Sequence, residues 1–152
     1  MYSKILVAFD GSEASKHALD HAVSIADIMK AELHIISVVP RVMMPVFPDE
    51  GFSAPVTAAQ DMSDYQERMK TVYGKSLEEA ERDITSHYPG LKVETKLMEG
   101  RPSATIVDEA ENNDMDLIVI GSRGLGGITG WILGSTSRRI VESCTKPVLV
   151  VK

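Results

Sequence analysis

Between Gly121 and Ser137 the chain reads GSRGLGGITGWILGSTS, six glycines in seventeen residues, directly after the apolar run DLIVI. Glycine inside a helix or strand costs roughly 0.5–1 kcal/mol relative to alanine, so a run this dense belongs to a loop. Its last residues, Gly134–Ser137 (GSTS), open a segment that reads as a helix. The first backbone N–H groups of a helix have no partner within it and carry partial positive charge, which suits phosphate. Ser135 and Thr136 add hydroxyl donors, while Gly121 and Gly124 let a bulky group approach the main chain. About 110 residues earlier stands Asp10, an acid able to accept hydrogen bonds from a ribose as acids do in dinucleotide sites. Together these residues suit a nucleotide, with sugar near Asp10 and phosphates near Gly134–Thr136.

Each feature has a plainer explanation when taken alone. The glycines serve tight turning as well as ligand approach. Ser135 or Thr136 also fits a helix cap, as does Asp10 ahead of Gly-Ser-Glu. What favours the nucleotide is their convergence, which requires the strand ending at Asp10 to lie beside the strand ending at Gly121. Competing motifs fit less well. No lysine follows the glycines, so there is no G-x-x-x-x-G-K-[ST] phosphate loop. GLGGIT (Gly124–Thr129) lacks the third glycine of G-x-G-x-x-G and follows the fourth strand rather than the first, which disfavours a dehydrogenase. His17 and His21 are four apart, but HALDH is not H-E-x-x-H and no third metal ligand is evident. Cys144 reads as a core residue without an activating neighbour. Met43, Met44 and the methionines further on read as packing or loop residues. Glu78, Glu79, Glu81 and Arg82 read as a solvated face.

The elements that must position these residues follow from hydrophobic periodicity. KILVAFD (Lys4–Asp10) is a short apolar run, as in a strand buried on both faces. Ala14, Ala18, Ala22, Ile25, Ala26 and Met29 then recur at helical spacing, with small side chains that let the helix lie close to a sheet. Glu32–Val39 is a second buried strand. Pro40–Pro55 holds four of the seven prolines and is expected to be an irregular loop, the flexible stretch extending over about 40–58. A long helix is expected from about Ala59 to His87, its apolar stripe formed by Met62, Met69, Val72, Tyr73, Leu77, Ala80 and Ile84. Lys92–Glu99 alternates polar and apolar residues, as a strand at or near a sheet edge does. A helix beginning near Pro102, the strand DLIVIGS, a helix from about Ser135 to Cys144 with Ile140, Val141 and Cys144 inward, and the strand KPVLVVK complete the chain. Strands alternating with helices throughout imply parallel βαβ units with right-handed crossovers. In such a sheet all strand-to-helix loops emerge at one edge, where ligands bind at the reversal of strand order.

Bulk properties bound the class. The 152 residues suffice for one compact domain, 1–152, with a real core. The apolar fraction of 43% with 25% charged residues is a globular balance. A net charge of −6 argues against nonspecific attraction to nucleic acid or to an anionic membrane, although Arg123, Arg138 and Arg139 are candidates for a local basic patch. The single cysteine allows no intrachain disulfide and suits a reducing cytoplasm. The first residues lack the features of a signal peptide, and no apolar run approaches the roughly 20 residues that span a bilayer.

Over essentially its full length the chain resembles the universal stress proteins of the ATP-binding branch. The specific match is the signature G-x₂-G-x₉-G-[ST], here Gly121, Gly124, Gly134 and Ser135, joined by the opening KILVAFDGSEASKHAL and the closing KPVLVVK. The resemblance implies a Rossmann-like α/β fold, an open parallel five-stranded sheet in the order 3-2-1-4-5 with helices on both faces. It implies ATP as ligand, with Asp10 beside adenine and ribose and the main chain near Val39 against adenine. Gly121 and Gly124 would line ribose and phosphates, Ser135 and Thr136 would hold phosphate oxygens, and Ala8, Arg123 and Gly134 complete the implied cofactor-binding set. A divalent cation, Mg²⁺ or Mn²⁺, often accompanies ATP in this branch, with no protein ligand assignable here. Members commonly form homodimers through their last strands, which suits VLVV as an otherwise open apolar edge. The expected function is a stress-response regulator or switch that binds ATP and hydrolyses it slowly at most, with an unidentified protein partner. Two alternatives stand beside it: a nucleotide-hydrolysing or adenylating enzyme of the same architecture, and a nucleotide-free dimeric interaction protein.

Overall fold

The computed structural model describes residues 1–43, 56–123 and 133–152. Five strands and four helices alternate: β1 (Lys4–Ala8), α1 (Glu13–Met29), β2 (Glu32–Pro40), α2 (Val56–His87), β3 (Val93–Gly100), α3 (Pro102–Asn112), β4 (Leu117–Gly121), α4 (Ser135–Ser143) and β5 (Val148–Val151). The strands form one sheet in the order β3-β2-β1-β4-β5, with every neighbouring pair parallel. This is the expected Rossmann-like α/β arrangement, and β3 lies at an edge as its alternating pattern predicts.

The period-two alternation of side chains divides the core into two layers. Ile5, Val7, Leu33, Ile35, Leu117 and Val119 face α1 and α2, where they meet Ala18, Ala22 and Ala26 of α1 and Leu77 and Ile84 of α2. Leu6, Ile36, Val38, Ile118 and Ile120 face the other way, against Ile106 and Ala110 of α3 and Ile140 of α4. The central strands are therefore buried on both faces and read as continuous apolar runs. The register pairs Leu6 with His34 on one side and with Ile118 on the other, and β2 runs on past Ile36, the partner of Ala8, to Pro40.

Local chemistry sets the helix boundaries. Ser12 caps α1 by accepting a hydrogen bond from the Ser15 N–H, and Glu13 supplies the favoured acid in the first turn. Lys30 ends α1 in the left-handed conformation, with its N–H directed at Ala26. Pro102 opens α3, where its missing N–H costs nothing.

The structure corrects three details. Helix α2 begins at Val56, about one turn earlier than its apolar pattern suggests. Val72 is exposed, because the core-facing stripe of α2 runs through Tyr73, Leu77 and Ile84, and Val72 is turned about 100° away from Tyr73. Val141 is exposed for the same reason, next to the buried Ile140. The proline-rich segment lies mostly within 44–55, outside the described residues.

Candidate functional site

The direction of winding reverses between β1 and β4. From β1 the chain passes through α1 to β2 on one side, and from β3 it returns through α3 to β4 on the other. The loops leaving β1 and β4 therefore diverge, and a crevice opens at the carboxyl edge of the sheet. The cleft there has a volume of about 360 Å³.

One wall comes from the β1–α1 connection. Phe9 continues the line of β1, its N–H donating to the Ile36 carbonyl at 2.8 Å. The buried Ser37 hydroxyl donates to the Phe9 carbonyl at 2.6 Å and fixes the peptide that leads into Asp10. The Asp10 carboxylate accepts from the Ser12 N–H at 2.9 Å, and the Asp10 N–H donates to Ser15 Oγ at 3.3 Å. Gly11, at φ +82°, makes the turn between them. The carboxylate is thus held at the mouth of the cleft by a local Asx-type turn, while Ser12 is the residue that caps the helix.

The opposite wall is the start of α4. Gly134 is its N-cap, with no side-chain cap, so Ser135 and Thr136 occupy the first helical positions and neither serves as the cap. The Gly134 N–H donates to the Ser122 carbonyl at 2.9 Å, which brings the two ends of the glycine loop together. Ser122 is in turn tied to β5 through its N–H and the Val151 carbonyl at 2.7 Å. The buried Ser137 hydroxyl donates to the Gly121 carbonyl at 2.8 Å, locking the first turn of α4 onto the end of β4. Gly134, Ser135 and Thr136 line the cleft, so the unpaired first-turn N–H groups of α4 and their partial positive charge lie at its side.

Between these walls the lining is apolar: Ile36, Val38 and Ile120 from the sheet, Ile106 from α3 and Ile140 from α4. Such a slot accommodates a flat heterocycle, with polar groups placed only at its ends. Of the residues singled out from sequence, Ala8, Asp10, Gly121, Arg123, Gly134, Ser135 and Thr136 all line this one cleft. At the end of β2 the lining comes from Val38 and Pro40, whereas the Val39 side chain is fully buried. Gly124 lies outside the described residues.

Gly121 has a structural reason to be glycine. A Cβ built there would lie 2.7 Å from the carbonyl carbon of Ala14, so the bare backbone admits the first turn of α1. At Gly134 a Cβ would meet nothing closer than 3.5 Å. The two signature glycines therefore differ: one is required by helix packing, and the other leaves space.

Tyr73 of α2 also lines the cleft, and its sequence context marked it only as a core residue. Burial, with the Asp10 carboxylate and Tyr65 acting in the same direction, holds its phenol above the ordinary tyrosine value. Cys144 is partly buried beside Glu111, and desolvation raises its thiol, as for an inert cysteine. His17 and His21 are exposed, with His21 Nδ1 2.9 Å from the His17 carbonyl oxygen. Among the described residues no three His, Cys, Asp or Glu side chains converge as a metal site. No described helix is long and apolar enough to cross a membrane.

Comparison with known proteins agrees with this architecture. Residues 1–152 match the model of the universal stress protein family. Universal stress protein MJ0531 of Methanocaldococcus jannaschii is 36% identical over 152 residues, covering 100% of this chain and 83% of the relative. The universal stress protein UspA from Lactobacillus plantarum shares the fold, with a TM-score of 0.84 at 24% identity over 99% of this chain and 98% of its own. A universal stress protein solved in complex with cAMP superposes with a TM-score of 0.64 at 26% identity, over 99% of this chain and 96% of its own. A full-length family match, carried on a β3-β2-β1-β4-β5 sheet, establishes that this chain belongs to the universal stress protein family.

Proposed function

We propose that this chain is an ATP-binding regulator of a stress response, whose cleft holds the nucleotide and whose occupancy biases a conformation or a partner contact. The observation that carries the reading is the pairing of Asp10 with the N-terminal turn of α4 across one 360 Å³ cleft with an apolar centre. An acceptor for sugar hydroxyls, a slot for a base and a set of N–H donors for phosphate all open on this one cleft. The family relative in complex with cAMP supports an adenine nucleotide as the ligand class. A Mg²⁺ entering with ATP would be carried chiefly by phosphate oxygens and water, since the described residues offer no convergent set of ligands.

Regulation suits the cleft better than catalysis. Among its described lining residues there is no lysine or histidine, and the Asp10 carboxylate is already engaged by the Ser12 N–H. Hydrolysis ordinarily uses a general base for water besides a cation at the γ-phosphate; Arg123 lines the cleft as a cation, and it is the base that the described lining does not supply. We further propose a homodimer through β5, an edge strand of apolar sequence that is paired on one side by β4. Light scattering would then return twice the 16.6 kDa chain mass.

Calorimetric titration of nucleotide-stripped protein with Mg-ATP tests the reading. Saturable binding that Gly134→Val abolishes while leaving the fold intact is the expected result. No heat and no thermal stabilisation at about 1 mM ATP, a level that would already register a millimolar Kd, would sink it. A nucleotide-free interaction protein would then be the better description.

A further inference from the structure

Helix α2 outruns the sheet on which it packs. Its 32 residues span about 48 Å, whereas the 8 residues of β3 span about 26 Å. The buried residues Tyr73, Leu77 and Ile84 all lie in the second half of the helix. Among the described residues, the first half joins neither core cluster and is held to the body by polar contacts. The Gln66 carboxamide accepts from the Val42 N–H and donates to the Pro40 carbonyl, each at 3.3 Å, and the Lys70 ammonium meets the Glu99 carboxylate at 2.6 Å.

This overhang carries an apolar seam. Ala58, Met62, Tyr65, Met69 and Val72 follow one another at intervals of four, three, four and three, the a/d repeat of a coiled coil. Tyr65 is 46% exposed and Val72 62%, while Ala58, Met62 and Met69 are half-buried. Another helix is the natural cover for a stripe with this period.

The flanking charges say which helix. Gln66 turns one flank of the seam toward the chain's own body, which leaves the exposed Asp61 and Arg68 on the other. Both stand just ahead of a seam methionine, Asp61 before Met62 and Arg68 before Met69. In an antiparallel pair of identical helices such positions face each other. Asp61 of one copy then meets Arg68 of the other, twice about the two-fold axis. The same register stacks Met62 on the second copy's Tyr65 and Ala58 on its Met69. A parallel pair would instead set Asp61 against Gln66 and Arg68 against the buried Tyr73, with no opposite charge for either.

We infer that the overhanging half of α2 is a self-association surface, on which a second copy of this chain lays its own α2 antiparallel, with Asp61–Arg68 pairs fixing the register. The inference does not depend on the nucleotide reading, and it adds a second face to the edge pairing proposed for β5. Four layers of side chains fall short of the about 1,200 Å² of a stable interface, so the association is weak and depends on concentration.

Sedimentation equilibrium of the wild type and its variants tests it. Between about 1 and 200 µM the wild type should form a species of twice its low-concentration mass. Tyr65→Glu, which puts a carboxylate into each central layer, should not form that species. Asp61→Arg and Arg68→Asp each set like charges together and should weaken the association about 3- to 10-fold. The double exchange of both residues should restore it. All these positions are exposed, so the variants should melt with the wild type. A mass that does not change with concentration overturns the inference, as does a heavier species that Tyr65→Glu forms equally well, which would belong to β5 or another face. A double exchange as weak as the single variants overturns it too, because the antiparallel register requires the rescue.

Discussion

Gly121, the last residue of β4, packs directly on Ala14 in the first turn of α1. A Cβ at Gly121 would come within 2.7 Å of the Ala14 carbonyl carbon and 2.8 Å of its oxygen. Neither atom belongs to a side chain that can swing away. Gly121→Ala must push α1 off the sheet, an overpacking cost of about 2–3 kcal/mol. The melting midpoint should fall by roughly 5–10 °C, read by circular dichroism or calorimetry. Gly134→Ala places its Cβ 3.5 Å from Arg123 and Ser122 and should cost less than about 1 kcal/mol. Equal midpoints for the two variants would mean that β4 and α1 separate freely.

Two buried serines clip the strand ends that frame the cleft. Ser37 donates to the Phe9 carbonyl at 2.6 Å, and Ser137 donates to the Gly121 carbonyl at 2.8 Å. Each alanine variant leaves a carbonyl short of a partner and should lose about 1–2 kcal/mol in denaturant titrations. Because each clip holds one wall of the cleft, both variants should also weaken Mg-ATP binding. Stability loss with full affinity would separate the clips from the site.

Asp116 ties the amino terminus to β4, its carboxylate accepting from the Ser3 N–H at 2.7 Å and the Lys4 N–H at 2.9 Å. These backbone donors hold its pKa below the ordinary aspartate value. A depressed carboxylate stabilises the fold above its unfolded pKa, about 3.9, and that contribution is lost as pH falls through the lower folded value. Asp116→Asn should therefore melt a few degrees below the wild type at about pH 7, with the gap closing as pH drops below about 4. A gap that is constant over this range would contradict the assignment.

If the cleft stores a nucleotide without consuming it, turnover should stay below about 1 s⁻¹, under the range of ordinary enzymes. Phosphate release from Mg-ATP, measured with saturating nucleotide, checks this. A faster steady rate that Gly134→Val abolishes would make the protein an ATPase.

Much of the fold was legible because burial on two faces leaves a strong local imprint. Continuous apolar runs such as Ile5–Val7 and Leu117–Ile120 can only be central strands of a covered sheet, and the alternation in Val93–Glu99 suits an edge. The errors came where one helical step of about 100° decides burial: Val72 beside Tyr73, and Val141 beside Ile140. Apolar character alone does not say which of two adjacent residues meets the core.

The site divides in the same way. Residue type and spacing by themselves determined that Asp10 and Gly134–Thr136 carry donors and acceptors suited to a nucleotide, and that helices and strands alternate. Those are properties of single residues and of short-range periodicity. Only the tertiary structure decided that Gly121 is bare to admit Ala14, that Ser37 and Ser137 hold the cleft walls, and that Tyr73 lines the same cleft as Asp10. Each of those facts is a contact between elements distant in sequence, set by how α1, α2 and α4 settle on the sheet, and no local pattern encodes it.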